Sequence, residues 1–157
     1  MIKYFFGLFI VGLLIGCSQD IPVTPAQQLK KDVAAIDKYL ATNSITAVKD
    51  TSGLRYVIKS LGAGVTPALS NKLKVKYTGR LLTTQVIFDQ SSNPPVFFEN
   101  PLSSLIQGWQ IGFQYLPTGS IATLYIPSAL AYGTRSPSSA IPPNSNLIFD
   151  VELVDFK

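Results

Sequence analysis

Hydrophobic and polar positions follow two periods along this chain. Leu29, Val33, Ile36 and Leu40 recur at spacings of 4, 3 and 4, which puts them on one face of a helix. Thr24 is a good side-chain cap, and Pro25 takes the first helical position, where its missing N–H costs nothing. The spacing predicts a helix over roughly 25–41 ending near Thr42-Asn43, so a helical segment 25–43, with Lys30, Lys31, Asp32, Asp37 and Lys38 around the rest of it. The apolar stripe suits packing on the chain's own domain rather than on a second copy, and a monomer is expected.

From Ile45 the period changes to two. Lys72 to Tyr77 alternates strictly, setting Leu73, Val75 and Tyr77 against three lysines, the signature of a half-buried strand. Leu54–Ile58, Val86–Phe88, Val96–Phe98 and Ile121–Ile126 read as further strands. Asn146–Val154 is the last, with Leu147, Phe149, Val151 and Leu153 in phase. One helical stretch interrupts them, carried by Leu105, Ile106, Trp109 and Phe113 before Pro117. The expected class is α+β: an antiparallel sheet crossed by one short helix over residues 45–157, preceded by the amphipathic helix.

Composition narrows the chemistry. The 157 residues include no histidine and one cysteine. That excludes Ser-His-Asp and Cys-His triads, histidine acid–base work and cysteine-rich zinc sites. No Walker-type phosphate loop occurs, and Gly62-Ala63-Gly64 lies between strands as a turn. No metal and no cofactor are expected. An enzyme built from this inventory works with carboxylates, phenols, backbone amides and apolar surface.

The charged fraction is only 14%, against about 25% in ordinary soluble domains, partly because of the N-terminus. Lys3 precedes an apolar run from Tyr4 to Ile15, too short for the ~20 residues of a membrane span and suited to a secretory signal segment over 1–16. Leu14-Ile15-Gly16-Cys17 resembles a bacterial lipobox. That likeness implies cleavage after Gly16, diacylation of Cys17, a tether over 17–24 and a membrane anchor, since two acyl chains hold stably where one is marginal. By the same analogy Ser18 favours the outer membrane of a bacterial envelope, facing the periplasm. Removing 1–16 leaves 12 basic against 9 acidic side chains, with no cluster that would suit nucleic acid.

Taken singly, Asp89, Trp109 and Tyr132 have ordinary explanations as turn, core and surface residues. Their order does not. Val75-Lys76-Tyr77-Thr78-Gly79, Phe88-Asp89, Ile106-Gln107-Gly108-Trp109, Ala131-Tyr132-Gly133, Ile141-Pro142-Pro143 and Leu147-Ile148-Phe149-Asp150-Val151-Glu152-Leu153 together resemble the FKBP-type peptidyl-prolyl cis–trans isomerases, from about Leu54 to Lys157. The resemblance implies an antiparallel β half-barrel wrapped around a short helix, with a pocket between them.

Carried over by position, the resemblance implies catalytic roles for Phe88, Asp89, Trp109 and Tyr132. It implies substrate contacts from Tyr77, Val96, Leu105, Ile106, Ile141 and Phe149. Trp109 would floor the pocket, Tyr77, Phe88 and Phe149 would wall it, the Ile106 N–H and Tyr132 hydroxyl would bind substrate carbonyls, and Asp89 would be a buried carboxylate. The segment after Asp89 lacks the arginine common in the family, Val96 replaces a frequent aromatic, and Thr83-Thr84-Gln85 forms a hairpin without glycine. The implied activity is rotation about X–Pro bonds in proline-containing unfolded or peptide substrates. A weakly or non-catalytic chaperone-type module using the same groove is the alternative.

Overall fold

A computed structural model describes residues 23–91, 94, 96–98 and 100–157. The expected signal segment, Cys17 and most of the expected tether therefore lie outside the described residues. Helix α1 (Pro25–Thr42) opens on a capping box in which Thr24 Oγ1 accepts from the Gln27 N–H and Gln27 Oε1 accepts from the Thr24 N–H. Six strands follow: β1 (Val48–Lys49), β2 (Arg55–Ser60), β3 (Leu73–Leu81), β4 (Ile87–Gln90), β5 (Ile121–Ile126) and β6 (Leu147–Phe156). Helix α2 (Gln107–Gly112) precedes β5, and short 3₁₀ turns occur at Leu102–Ser104, Phe113–Tyr115 and Ser128–Leu130.

All pairings are antiparallel, in the order β1-β2-β5-β6-β3-β4. The concave face and α2 enclose the main core, which gathers Leu73, Val75, Leu124, Phe149, Val151 and Leu153 with Trp109, Phe113 and Leu116. The alternation read at 72–77 survives intact: Leu73 and Val75 are buried and Lys76 is exposed. Gly108 lets α2 lie directly on β5, because a Cβ there would stand 2.4 Å from the Ile126 side chain. The depth of the adjacent Trp109 is set by that close approach.

The convex face carries α1 on one part and charge on another. Ile36 and Leu40 form a second buried cluster with Leu82, Tyr125 and Ile148. Arg55, buried at the start of β2, donates through Nε to Asp37 Oδ1 at 2.9 Å. The helix stripe thus packs on its own domain. Beyond α1, Asp150 accepts from Lys59 and Thr123 and pairs with Arg80, while Lys76 pairs with Glu152.

Two expectations need correction. Val96–Phe98 makes no strand, only an isolated bridge between Phe97 and Lys74. Pro94 and Pro95 precede it in the sequence and bring no N–H to a ladder. The second helix begins at Gln107, not Leu105, because Leu105 and Ile106 are extended and close the preceding 3₁₀ turn. In the β3–β4 hairpin Gln85 takes the left-handed conformation itself (φ 60°). Its amide stabilises that turn by donating to the carbonyl of Leu82 at 2.8 Å.

Candidate active site

A cavity of about 100 Å³ opens between α2 and the concave sheet, lined by Tyr77, Asp89, Phe98, Leu105, Ile106, Trp109, Tyr132 and Phe149. Four elements and a loop converge there. Tyr77 comes from β3, Asp89 from β4, Phe149 from β6 and Trp109 from α2, with Tyr132 on the loop after β5.

The walls are aromatic and mutually braced. Trp109 is 4% exposed and meets Tyr77, Phe98 and Phe149 edge-on, with ring centroids 5.3, 5.6 and 5.2 Å away. Such edge-to-face contacts are favoured because a ring's positive rim meets the negative face of its neighbour. The buried Trp109 Nε1–H has no hydrogen-bond acceptor among the described residues. Phe88 stands behind this wall: its ring crosses Phe149 at 5.6 Å, and neither it nor Ile141 lines the cavity. Ile141 is buried in the core at 5% exposure.

Gly79 makes that edge-to-face contact possible. It pairs with Asp89 on one side and Phe149 on the other. A Cβ there would come within 2.8 Å of Phe88 and 2.7 Å of Phe149 ring carbons.

Val96 lies off the cavity. It is 68% exposed and edges a neighbouring shallow groove with Val75, Tyr77 and Phe98. Phe98 occupies the wall that the sequence pattern gave to Val96. The aromatic is therefore present, two positions later.

Asp89 also departs from expectation: it is exposed, not buried. Among the described residues no cation pairs with it, and its Oδ2 instead accepts from the Tyr77 hydroxyl at 2.8 Å. Burial, followed by the hydrogen bond to Asp89, raises the Tyr77 phenol well above its ordinary value. Tyr132 is raised too, mainly by burial and then by the Asp89 charge. Both phenols therefore stay protonated, as hydrogen-bond donors, through the neutral range.

Two donors at the cavity remain uncommitted among the described residues. Ile106 takes the N-cap position of α2; its carbonyl accepts from Trp109 and Gln110, but its own N–H finds no acceptor. The Tyr132 hydroxyl likewise makes no hydrogen bond to any described residue. The geometry thus joins a small aromatic box to two free donors and one carboxylate. Among the described residues no cluster of His, Cys, Asp and Glu could hold a metal. Such a box can bind an apolar ring and fix flanking carbonyls.

Comparison with known proteins agrees. The profile of the FKBP_C family, described as FKBP-type peptidyl-prolyl cis-trans isomerase, matches residues 64–154. The FKBP-type peptidyl-prolyl cis-trans isomerase FkpA of Aeromonas hydrophila is 38% identical over 146 residues, covering 86% of this chain and 53% of that protein. "Outer membrane protein MIP" of Legionella longbeachae is 39% identical over 108 residues, covering 68% of this chain and 45% of its own. The crystal structure of a peptidyl-prolyl cis-trans isomerase from Pseudomonas syringae pv. tomato superposes with a TM-score of 0.71 at 31% identity, covering 88% of this chain and 98% of that one. The chain spans from about a third to two thirds of the length of the curated relatives it matches, 33% and 53% of two of them. A profile match over more than half the residues, and a fold shared across nearly the whole of a solved isomerase, lead to one conclusion: this chain belongs to the FKBP-type peptidyl-prolyl cis–trans isomerase family.

Proposed function

We propose that the chain accelerates cis–trans rotation about X–Pro bonds in unfolded or peptide substrates, using the aromatic cavity over Trp109. The observation that carries this reading is the pair of uncommitted donors, Ile106 N–H and Tyr132 O–H, at the edge of an apolar box.

The uncatalysed rotation faces a barrier of ~20 kcal/mol, because amide resonance must be broken. No covalent bond forms or breaks, so neither nucleophile nor proton transfer is needed. A planar amide is more polar and better hydrated than a twisted one. A dry cavity walled by Tyr77, Phe98 and Phe149 therefore penalises the planar form more. With the prolyl ring over Trp109, the two donors hold the flanking carbonyls while the imide turns between them. Lowering the barrier by about 5–7 kcal/mol gives 10⁴- to 10⁵-fold acceleration. Asp89 contributes charge and a fixed Tyr77 hydroxyl; it exchanges no proton with substrate.

Catalytic amounts of the chain should shorten the slow phase of a proline-limited refolding reaction. Saturable binding of the unfolded client without acceleration would overturn the isomerase in favour of a holding module.

The reading extends to location. The chain is proposed to be a lipoprotein of a bacterial envelope, cut after Gly16, acylated on Cys17 and probing the periplasm from the outer membrane. The lipobox supports this, and so does the Legionella relative named as an outer membrane protein. Cys17→Ser should move the protein from the membrane to the soluble fraction; retention in the membrane would contradict the anchor. A monomer is proposed because Ile36 and Leu40 of the α1 stripe are already buried against the chain's own sheet, and sedimentation as a dimer would contradict it.

A further inference from the structure

Helix α1 precedes the matched family segment, yet it carries the buried carboxylate Asp32, 3% exposed, which the isomerase chemistry above does not use. Asp32 Oδ2 accepts from the Ser128 hydroxyl at 2.6 Å across 96 positions of sequence. Its other oxygen accepts from Gln28 Nε2 at 2.7 Å, one helical turn earlier. Ser128 is itself 1% exposed, and its N–H donates to Asn146 Oδ1 at 3.0 Å. Ser128 is thereby gripped from the helix and from the residue that leads into β6.

The same residue suspends the Tyr132 turn. The Ser128 carbonyl accepts from the Ala131 N–H at 2.9 Å and from the Gly133 N–H at 2.8 Å. Tyr132 sits between those two amides. Gly133 has φ +59°, and its carbonyl accepts from Asn144 at 2.7 Å. The backbone that carries the Tyr132 hydroxyl is thus hung on one carbonyl, whose residue is held in turn by Asp32.

We infer that Asp32 is a positioning residue for the proposed isomerase site: through Ser128 it fixes the turn that aims the Tyr132 hydroxyl into the aromatic cavity, so that α1 is part of the working domain. The inference rests on the isomerase reading for its kinetic consequence but not for the link itself. A hydrogen bond between two buried side chains suits this task, because leaving either polar group unpaired there is costly. Asp37 supplies the control, since it ties α1 to Arg55 on a strand that carries no cavity residue.

The test uses the full chain. Asp32→Ala should lower kcat/KM toward X–Pro peptides by roughly three- to tenfold, the weight of one buried hydrogen bond. Asp32→Asn, which still offers Ser128 an acceptor, should restore most of it. Asp37→Ala, which leaves the Asp32–Ser128 bond in place, should lower stability while leaving kcat/KM intact. In a Tyr132→Phe background, Asp32→Ala should cost no further activity, since both act through one hydroxyl. Hydrogen exchange at the Ala131 and Gly133 amides should quicken in Asp32→Ala and not in Asp37→Ala. Equal kinetic losses from Asp32→Ala and Asp37→Ala, or an undiminished loss in the Tyr132→Phe background, would overturn the inference. A parent chain with no isomerase activity would instead sink the isomerase reading. The exchange measurement would then decide the link alone, and unchanged protection at Ala131 and Gly133 would refute it.

Discussion

The Tyr77 hydroxyl donates to Asp89 Oδ2 at 2.8 Å, from β3 to its neighbour β4, and this bond ties together the exposed side of the cavity. Tyr77 also packs edge-on against Trp109. A single phenol therefore couples the carboxylate to the pocket floor. Because Asp89 is exposed, its removal should affect the site more than the fold. Asp89→Ala is expected to lower kcat/KM about tenfold while shifting unfolding free energy by less than about 1 kcal/mol. Denaturant titration beside a peptide isomerisation assay checks both, and a large stability loss would make Asp89 a structural residue.

Gly79 sets a second dependence. A methyl group there meets Phe88 and Phe149 ring carbons at 2.7–2.8 Å, so Gly79→Ala must push apart the Phe149 ring of the cavity wall and the Phe88 ring behind it. Overpacking of this kind costs about 1–3 kcal/mol. A lowered melting temperature together with weakened peptide binding is expected. Unchanged values for both would mean that the Phe88–Phe149 contact is not what shapes the wall.

Much of this arrangement is legible in the sequence wherever a period is long enough to be read. The α1 stripe, the alternation at Leu73, Val75 and Tyr77, and the phase of Leu147 to Leu153 are all kept, because each commits several residues to one face. Tyr77, Trp109, Tyr132 and Phe149 meet at the cavity as the ordered motifs imply. Val96 fails for a definite reason. In a strand, residues two apart share a face, but 96–98 forms only one bridge, so the parity that would equate Val96 with Phe98 has no strand to act through. The exposure of Asp89 was equally hidden, since it depends on how far β4 stands at the sheet edge. The Asp32–Ser128 and Asp37–Arg55 ties join residues 96 and 18 positions apart, and no local pattern announces such pairs.

Acid should loosen the convex face first. Hydrogen bonding to Arg55 holds Asp37 below its ordinary 3.8. For Asp150, burial pushes upward, but hydrogen bonds from Lys59, Thr123 and Arg80 outweigh it and leave the group lowered. A depressed carboxylate contributes stability that is present above its unfolded value and lost as pH falls through the folded one. Urea midpoints should therefore hold from neutral pH to about 4 and fall below it. Asp150→Asn should flatten that fall, and an unaltered slope would exclude Asp150 as a contributor.

Alkali acts through the phenols with the opposite sign. Tyr77 and Tyr132 are raised above 10.0, in each case chiefly by burial. Their contribution is complete below the ordinary tyrosine value and is lost as pH rises through the folded one. The rate should show no phenol titration between about pH 7 and 9. Ultraviolet titration should find these two tyrosines ionising late. An early tyrosinate signal that disappears in Tyr132→Phe would contradict the dry setting of the hydroxyl.

Exchange spectroscopy on a short X–Pro peptide, with the intact chain and with Trp109→Ala under identical conditions, probes the cavity itself. The intact chain should bring cis–trans exchange from tens of seconds into the millisecond range, with the Trp109 indole resonance moving as peptide is added, and Trp109→Ala, if folded, should lose most of that acceleration. Exchange that stays slow with the intact chain, or runs equally fast without the indole, would contradict catalysis in this pocket.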